Sequence, residues 1–261
     1  MKLPWQRRRD VAVIVLHGML ATRRGALNVE TMAPVIARAF RAARGRSVVL
    51  DIDSPGGSPV QSDAIARLIR RHAEETRSKV VAVIGEVGAS GGYWLACAAD
   101  DIVAHPMSIV GSIGVRGGGF GFTRVIERLG IERRQMTAGV NKARLDPFAP
   151  ERAEDREFLR RLLDDLHARF RDWVTLRRGA RLRGDPAELF DGGFMLGDAA
   201  AAHGLVDRLG DLDQVVRELG GAKARMQVFR PRRPGLLRRL PGLVLAGAAE
   251  AIEAERGRIS F

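Results

Sequence analysis

Three short runs rich in β-branched residues constrain the fold of this chain most strongly. They are Val11–Leu16, Ser47–Ile52 and Val80–Ile84, and each is followed by a glycine-containing turn and then a helical pattern. Runs without polar alternation are typical of strands that are buried on both faces of a parallel sheet. Strand–helix–strand repetition therefore predicts an α/β fold with a mostly parallel sheet and flanking helices. Reactive groups gather at the carboxyl ends of such strands.

The helical patterns set the expected order of the remaining elements. Asn28 is the predicted N-cap of the first helix, and Pro150 is the predicted start of a long helix that extends to about Arg178. The other expected helices are Ser62–Thr76, Tyr93–Ala99, Phe122–Leu129, Asp185–Leu189, Gly197–His203 and Leu212–Leu219, and the other expected strands are Asp101–Ala104 and Ile131–Thr137.

The C-terminal part differs in composition from the rest. Prolines and arginines are concentrated between Arg230 and Pro241, and an amphipathic pattern follows over Leu243–Glu255. We therefore expect one domain over residues 1–226, followed by an Arg/Pro-rich linker and tail over residues 227–261.

Charge and composition narrow the classes of partner. Basic residues exceed acidic ones by 43 − 31 = 12, which favours nucleic acid, anionic lipid or the faces of other subunits as partners. Aromatic residues make up only 5%, too few for a platform on which single-stranded bases stack, so we expect no specific nucleic-acid partner. Cys97 is the only cysteine, which rules out an intramolecular disulfide and four-cysteine zinc sites. The five histidines are scattered singly, so neither a metal nor another cofactor is expected.

No apolar run approaches the roughly 20 residues of a membrane-spanning helix. The run from Val11 to Leu20 resembles the core of a signal peptide, but no small-x-small cleavage site follows it before Arg23. These patterns lead us to expect a chain that is soluble or peripheral at a membrane, with a cytoplasmic location favoured.

Ser90 is the first candidate for chemistry. It lies in Gly88-Ala89-Ser90-Gly91-Gly92, where a predicted strand turns into a predicted helix. A serine between small residues on such a turn is sterically accessible, and the amides of the following helix are close by. The same features also suit phosphate binding or a plain turn.

A serine nucleophile needs a proton acceptor, and the sequence leaves three candidates. His105 and His17 each end a predicted strand, as in a Ser-His arrangement. Lys142 follows another predicted strand, among small and apolar residues. An amine accepts a proton only in its neutral form, so a lysine base needs burial or a nearby positive charge.

Acyl transfer also needs donors for the developing oxyanion. The turn Asp53-Ser54-Pro55-Gly56-Gly57 offers glycine amides that can point at a ligand, although its composition is also that of an ordinary β-turn.

Three motifs in order resemble those of bacterial signal peptide peptidase A and its SohB-like relatives. They are Asp53–Gly57, Gly88–Tyr93 and Ser108–Val115; Lys142 and Pro147 follow at matching spacing, and Gly197–Gly210 resembles the family's closing motif. The resemblance covers roughly Val11 to Leu219.

This resemblance implies the ClpP/crotonase superfold, a spiral of ββα units, and serine-type peptide hydrolysis by a Ser–Lys dyad. Ser90 matches the nucleophile, Lys142 the general base, Gly57 the oxyanion-hole amide and Ser112 a serine that holds the lysine amine. The implied substrates are signal-peptide remnants and other short or unfolded polypeptides. Relatives assemble into rings or domes, often with sites built across subunits, so we expect a homo-oligomer. The family commonly has an N-terminal membrane anchor, and no such segment is evident here.

Two alternatives stay open at this point. A ClpP-like peptidase on the same superfold would use His105 as its base. A non-catalytic relative would instead act as a scaffold that binds membrane proteins or nucleic acid. An acyl-CoA enzyme of the crotonase type would not need Ser90, and the sequence offers no paired carboxylates placed for proton transfer.

Overall fold

The structure, a computed structural model, describes residues 10–23 and 25–231. Its strands are β1 (Val11–His17), β2 (Val48–Ser54), β3 (Val80–Ala89), β4 (Asp101–Ala104), β5 (Ile109–Gly111), β6 (Phe194–Leu196), β7 (Arg208–Leu209) and β8 (Met226–Phe229). Its helices are α1 (Val29–Ala43), α2 (Pro59–Thr76), α3 (Gly91–Ala96), α4 (Thr123–Arg128), α5 (Ala153–Arg178), α6 (Pro186–Leu189), α7 (Gly197–Ala202) and α8 (Leu212–Gly220), with a 3-10 turn at Gly179–Arg181.

One mostly parallel sheet organises these elements, as the sequence predicts. Its order is β6-β5-β3-β2-β1-β8, and only the β5–β6 pair is antiparallel. The first half of β3 pairs with β4 and its second half with β5, while β7 pairs with β4. Because β2 and β3 are parallel neighbours, the loops after them meet at one edge of the sheet.

Both faces of the sheet are covered. On one face, side chains such as Ile14 and Leu50 pack against α1, α2 and α3 in the main core. On the other face, Val13 and Val81 pack against Val215 of α8. This two-sided burial explains why the strand sequences are continuous apolar runs. The parallel sheet with helices on its faces confirms the predicted α/β fold class.

The boundaries differ from the prediction at several elements. α2 begins at Pro59 rather than Ser62, and α3 spans Gly91–Ala96 rather than Tyr93–Ala99. Ile131–Thr137 forms no strand: the segment is exposed and has no strand partner. The long helix begins at Ala153 rather than Pro150, with Arg152 as its N-cap. β3 continues to Ala89, because Val87–Ala89 pair with β5.

The sheet also extends past residue 226, since β8 runs to Phe229 and pairs with β1. The predicted amphipathic tail lies outside the described residues. No helix in the described part of the chain is long and apolar enough to cross a membrane.

Candidate active site

Ser90 stands at the junction of β3 and α3 with an unusual backbone. Its φ is 53° and its ψ is −121°, a region that residues other than glycine rarely adopt. Its amide donates to the Gly111 carbonyl oxygen at 2.9 Å, and its own carbonyl accepts from the Trp94 amide at 2.9 Å. The side chain is half-buried, and no hydrogen bond occupies its hydroxyl in the described residues. A strained serine with an unoccupied hydroxyl at a strand-to-helix turn has the form of a nucleophile elbow.

The glycine loop after β2 lies directly beside Ser90. A Cβ atom on Gly56 would lie 2.8 Å from the Ser90 Cβ and 2.5 Å from the Gly91 nitrogen. Gly57 has φ +141°, and a Cβ there would overlap the Leu20 carbonyl oxygen. Only glycine therefore fits at either position, and the Gly57 amide donates no hydrogen bond within the part of the chain described.

Ser54 fixes the shape of this loop. Its buried hydroxyl donates to the Gly18 carbonyl oxygen at 2.6 Å and accepts from the Gly56 amide at 3.2 Å. The loop is thus tied to the end of β1 and held against the start of α3.

Ser112 is placed near Ser90 by the pairing of β3 with β5. It directly follows Gly111, whose carbonyl accepts the Ser90 amide. Its φ is 52°, and its own amide donates to the Gly193 carbonyl oxygen at 2.6 Å. Three of the four predicted site residues, Ser90, Gly57 and Ser112, therefore gather at one edge of the sheet.

Lys142 is not joined to them by any polar contact. It lies in an irregular, exposed segment between α4 and α5, and among the described residues its amine has neither an ion pair nor a hydrogen bond. No hydrogen bond links it to Ser90 or to the Ser112 hydroxyl in the region the structure covers.

The histidine candidates are engaged elsewhere. His105 is exposed, and its Nδ1 accepts from the Met107 amide at 3.2 Å. His17 Nε2 lies 3.0 Å from an Asp51 carboxylate oxygen. Neither ring hydrogen-bonds to Ser90 in the described structure.

The helix that follows Ser90 is anchored in the core. The Tyr93 hydroxyl donates to the Leu205 carbonyl oxygen at 2.8 Å, and both residues are buried. Cys97, one turn further on, is fully buried, and this burial raises the pKa of its thiol to about 12. The only cysteine is therefore a packing residue rather than a nucleophile.

Comparison with known proteins identifies the family to which this site belongs. The family model for peptidase family S49 matches residues 72–225, which include Ser90, Ser112 and Lys142. The chain belongs to peptidase family S49. This assignment confirms the resemblance seen in the sequence motifs, because signal peptide peptidase A and SohB proteins are among the relatives of this S49 chain.

Three relatives show how the S49 chain compares with longer proteins. A Brucella abortus protein named Na(+)/H(+) antiporter NhaA is 44% identical over 238 residues, which is 90% of this chain and 32% of that protein. The chloroplastic serine protease SPPA of Arabidopsis thaliana is 30% identical over 205 residues, 77% of this chain and 29% of that protein. Protease 4 of Salmonella typhi is 29% identical over 221 residues, 83% of this chain and 35% of that protein. The chain thus spans about a third of the length of each.

Proposed function

We propose that this S49 chain is a serine endopeptidase in which Ser90 is the nucleophile and Lys142 the general base. The observation that carries the proposal is the strained Ser90 backbone beside the glycine loop of Gly56 and Gly57. Strain of this kind persists only where the surrounding structure enforces it, and it is concentrated at functional sites.

The proposed reaction proceeds through an acyl-enzyme. Neutral Lys142 takes the hydroxyl proton of Ser90 as the oxygen attacks a peptide carbonyl, and the Gly57 amide stabilises the oxyanion. The lysine ammonium then protonates the leaving amine as the peptide C–N bond breaks. Water, deprotonated by the same lysine, hydrolyses the ester and restores Ser90. Ser112 would hold the lysine amine in place.

Assembly is part of the proposal, because no hydrogen bond joins Lys142 to Ser90 in the described residues of one chain. Of the 18 large hydrophobic side chains that are exposed in the described residues, nine lie between Phe120 and Phe148. An exposed apolar concentration of this kind marks an interaction surface. We propose that a second copy covers this segment and that the assembled ring or dome completes the dyad.

The proposed substrates are short or unfolded polypeptides, including signal-peptide remnants. The names of the relatives support peptide-bond hydrolysis, and β6 is an edge strand of the sheet, the kind of strand to which an extended chain can add. Peripheral contact with a membrane surface is compatible with the excess of basic residues.

The test is cleavage of an unfolded protein and of apolar fluorogenic peptides by wild type, Ser90→Ala, Lys142→Ala and His105→Ala. Gel filtration of each protein checks that assembly is unchanged. We expect turnover to be lost in the first two variants and retained in the third. Loss in His105→Ala with activity in Lys142→Ala would replace the dyad with a Ser-His pair, and an assembled but inactive wild type would favour a scaffold.

A further inference from the structure

The segment that carries Lys142 is held with little apolar burial. Within the described structure, no residue from Gly114 to Glu154 is buried, and the next buried residue along the chain is Asp155, which is 4% exposed. The segment therefore gains little from the burial of apolar side chains, and its polar contacts contribute to where it lies.

Asp155 is one centre of those contacts, and Asp146, which accepts from Arg133 and from the Phe148 amide, is another. Asp155 lies in the first turn of α5, where Arg152 donates to both carboxylate oxygens, from Nε at 3.0 Å and from Nη2 at 2.8 Å. The Leu145 amide also donates to the carboxylate, at 3.4 Å, and Arg144 Nε lies 3.5 Å from it. The hydrogen bonds from Arg152 hold the pKa of Asp155 below its ordinary value, so the carboxylate is charged at neutral pH.

Arg144 extends the contact along α5. Its guanidinium lies over the Phe158 ring, 4.5 Å from the ring centre. Its Nε is buried and makes no hydrogen bond in the described residues, and the Asp155 carboxylate 3.5 Å away is its charge partner. Helix α5 therefore holds the chain two and three residues after Lys142, through a side chain and a backbone amide.

We propose that Asp155 is a positioning residue for Lys142. By holding Arg144 and Leu145 it fixes the point from which the lysine side chain extends. This inference rests on the proposed function, in which Lys142 is the base. Misplacing a reacting group by about 1 Å costs on the order of 100-fold in rate, so loss of the anchor is expected to show in catalysis.

The first test compares Asp155→Asn with Asp164→Asn. Both exchange a carboxylate for an amide on α5, but Asp164 is exposed, and its one ion pair among the described residues is with Arg160. We expect kcat to fall roughly 10- to 100-fold in Asp155→Asn with little change in KM, and to stay at the wild-type value in Asp164→Asn. Asp155→Glu, which keeps the charge, is expected to recover part of the loss.

The second test observes the lysine without requiring activity. The chain has four lysines, Lys2, Lys79, Lys142 and Lys223, so reductive ¹³C-methylation gives few NMR signals. The Lys142 signal is the one missing in Lys142→Arg. We expect Asp155→Asn to shift this signal and to leave those of Lys79 and Lys223 in place. If all the signals move to the positions of an unfolded chain, the variant has unfolded. Arg144→Gln, which removes the same ion pair by changing the arginine, is then tested instead.

The two tests separate this inference from the proposed function. Wild-type turnover in Lys142→Arg would show that Lys142 is not the base, whereas the NMR shift would still establish Asp155 as its anchor. If Lys142→Arg is inactive but Asp155→Asn keeps both kcat and the Lys142 signal, the positioning role of Asp155 is wrong and the dyad stands.

Discussion

Gly56 packs directly against Ser90, so closely that a methyl group on Gly56 would lie 2.8 Å from the Ser90 Cβ. Gly56→Ala is therefore expected to force the loop and the serine apart. Gly18 provides a matched control, because its φ of +99° is close to the +94° of Gly56 but the space around it is open. Both variants incur the strain of a positive φ, and only Gly56→Ala adds the overlap with the backbone at Gly91.

We expect Gly56→Ala to lower kcat/KM by at least about 10-fold and the free energy of unfolding by roughly 1–3 kcal/mol. Gly18→Ala should lose only the roughly 1–2 kcal/mol that a positive φ costs an L residue, to which Gly56→Ala adds its overlap, and should keep near-normal turnover. Peptide cleavage and urea unfolding measure the two effects. Equal activity in the two alanine variants would show that the Gly56–Ser90 contact does not shape the site.

A mixing experiment tests whether the dyad is built from two copies. Ser90→Ala and Lys142→Ala are each expected to be inactive alone. If a site takes its serine from one copy and its lysine from another, random reassembly of equal amounts restores about a quarter of the wild-type sites. The readout is peptide cleavage after the two variants are dissociated and reassembled together. Absence of recovery in properly mixed assemblies would place both residues in one chain.

The exposed segment between α4 and α5 yields a separate prediction about assembly. Met136 is fully exposed and Val140 is 93% exposed, so neither contributes to the core of a single chain. If a second copy covers them, Met136→Asp combined with Val140→Asp buries two charges in the interface and shifts the protein to smaller species.

Leu176→Asp is the control for that variant, because Leu176 is 75% exposed but lies on α5, outside the segment. Sedimentation velocity at several concentrations measures the distribution of species. Identical distributions for wild type and the double variant would mean that the segment serves no contact between copies.

The fold could be predicted from the sequence because its central strands are buried on both faces and because α1, α2, α6 and α8 each begin at a residue whose side chain caps the helix. The Asn28 side chain accepts from the Thr31 amide, as an N-cap should. The prediction of strands failed where the presence of a partner strand, rather than composition, decides whether a segment forms a strand. Residues 85–89 look like a glycine-rich turn but are strand, because β5 is there to pair with Val87–Ala89. Ile131–Thr137 has the composition of a strand and no partner.

The grouping of the candidate site residues could be predicted better than the contacts that support them. Ser90, Gly57 and Ser112 could be singled out because they lie within motifs, and the sheet edge brings them together. Asp155 could be read only as a favourable charge at a helix start, since nothing in the sequence shows that Arg144 and Leu145 return to it. Long-range contacts made by exposed, irregular segments leave no periodic pattern.

The ion pair between buried Arg178 and partly exposed Asp207 predicts how stability depends on pH. The Arg178 side chain is 1% exposed and donates to both Asp207 carboxylate oxygens, at 2.8 and 2.9 Å. Burial raises the pKa of Asp207, but the Arg178 hydrogen bonds, the Ile102 amide and nearby guanidinium charges outweigh it, so the pKa lies below its ordinary value.

A carboxylate with a lowered folded-state pKa contributes stability above its unfolded pKa of about 3.9, and this contribution is lost as the pH falls through the folded value. Asp207→Asn leaves Arg178 buried without its charge partner, so we expect a loss of about 3–5 kcal/mol in unfolding free energy at pH 7. The difference from wild type should shrink as the pH falls below about 4, because unfolded wild type then takes up a proton on Asp207 that the folded protein takes up only at lower pH. Urea unfolding of both proteins between pH 3 and 7, with Asp164→Asn as the exposed control, measures this. A difference that stays constant over that range would show that the charge of Asp207 does not stabilise the fold.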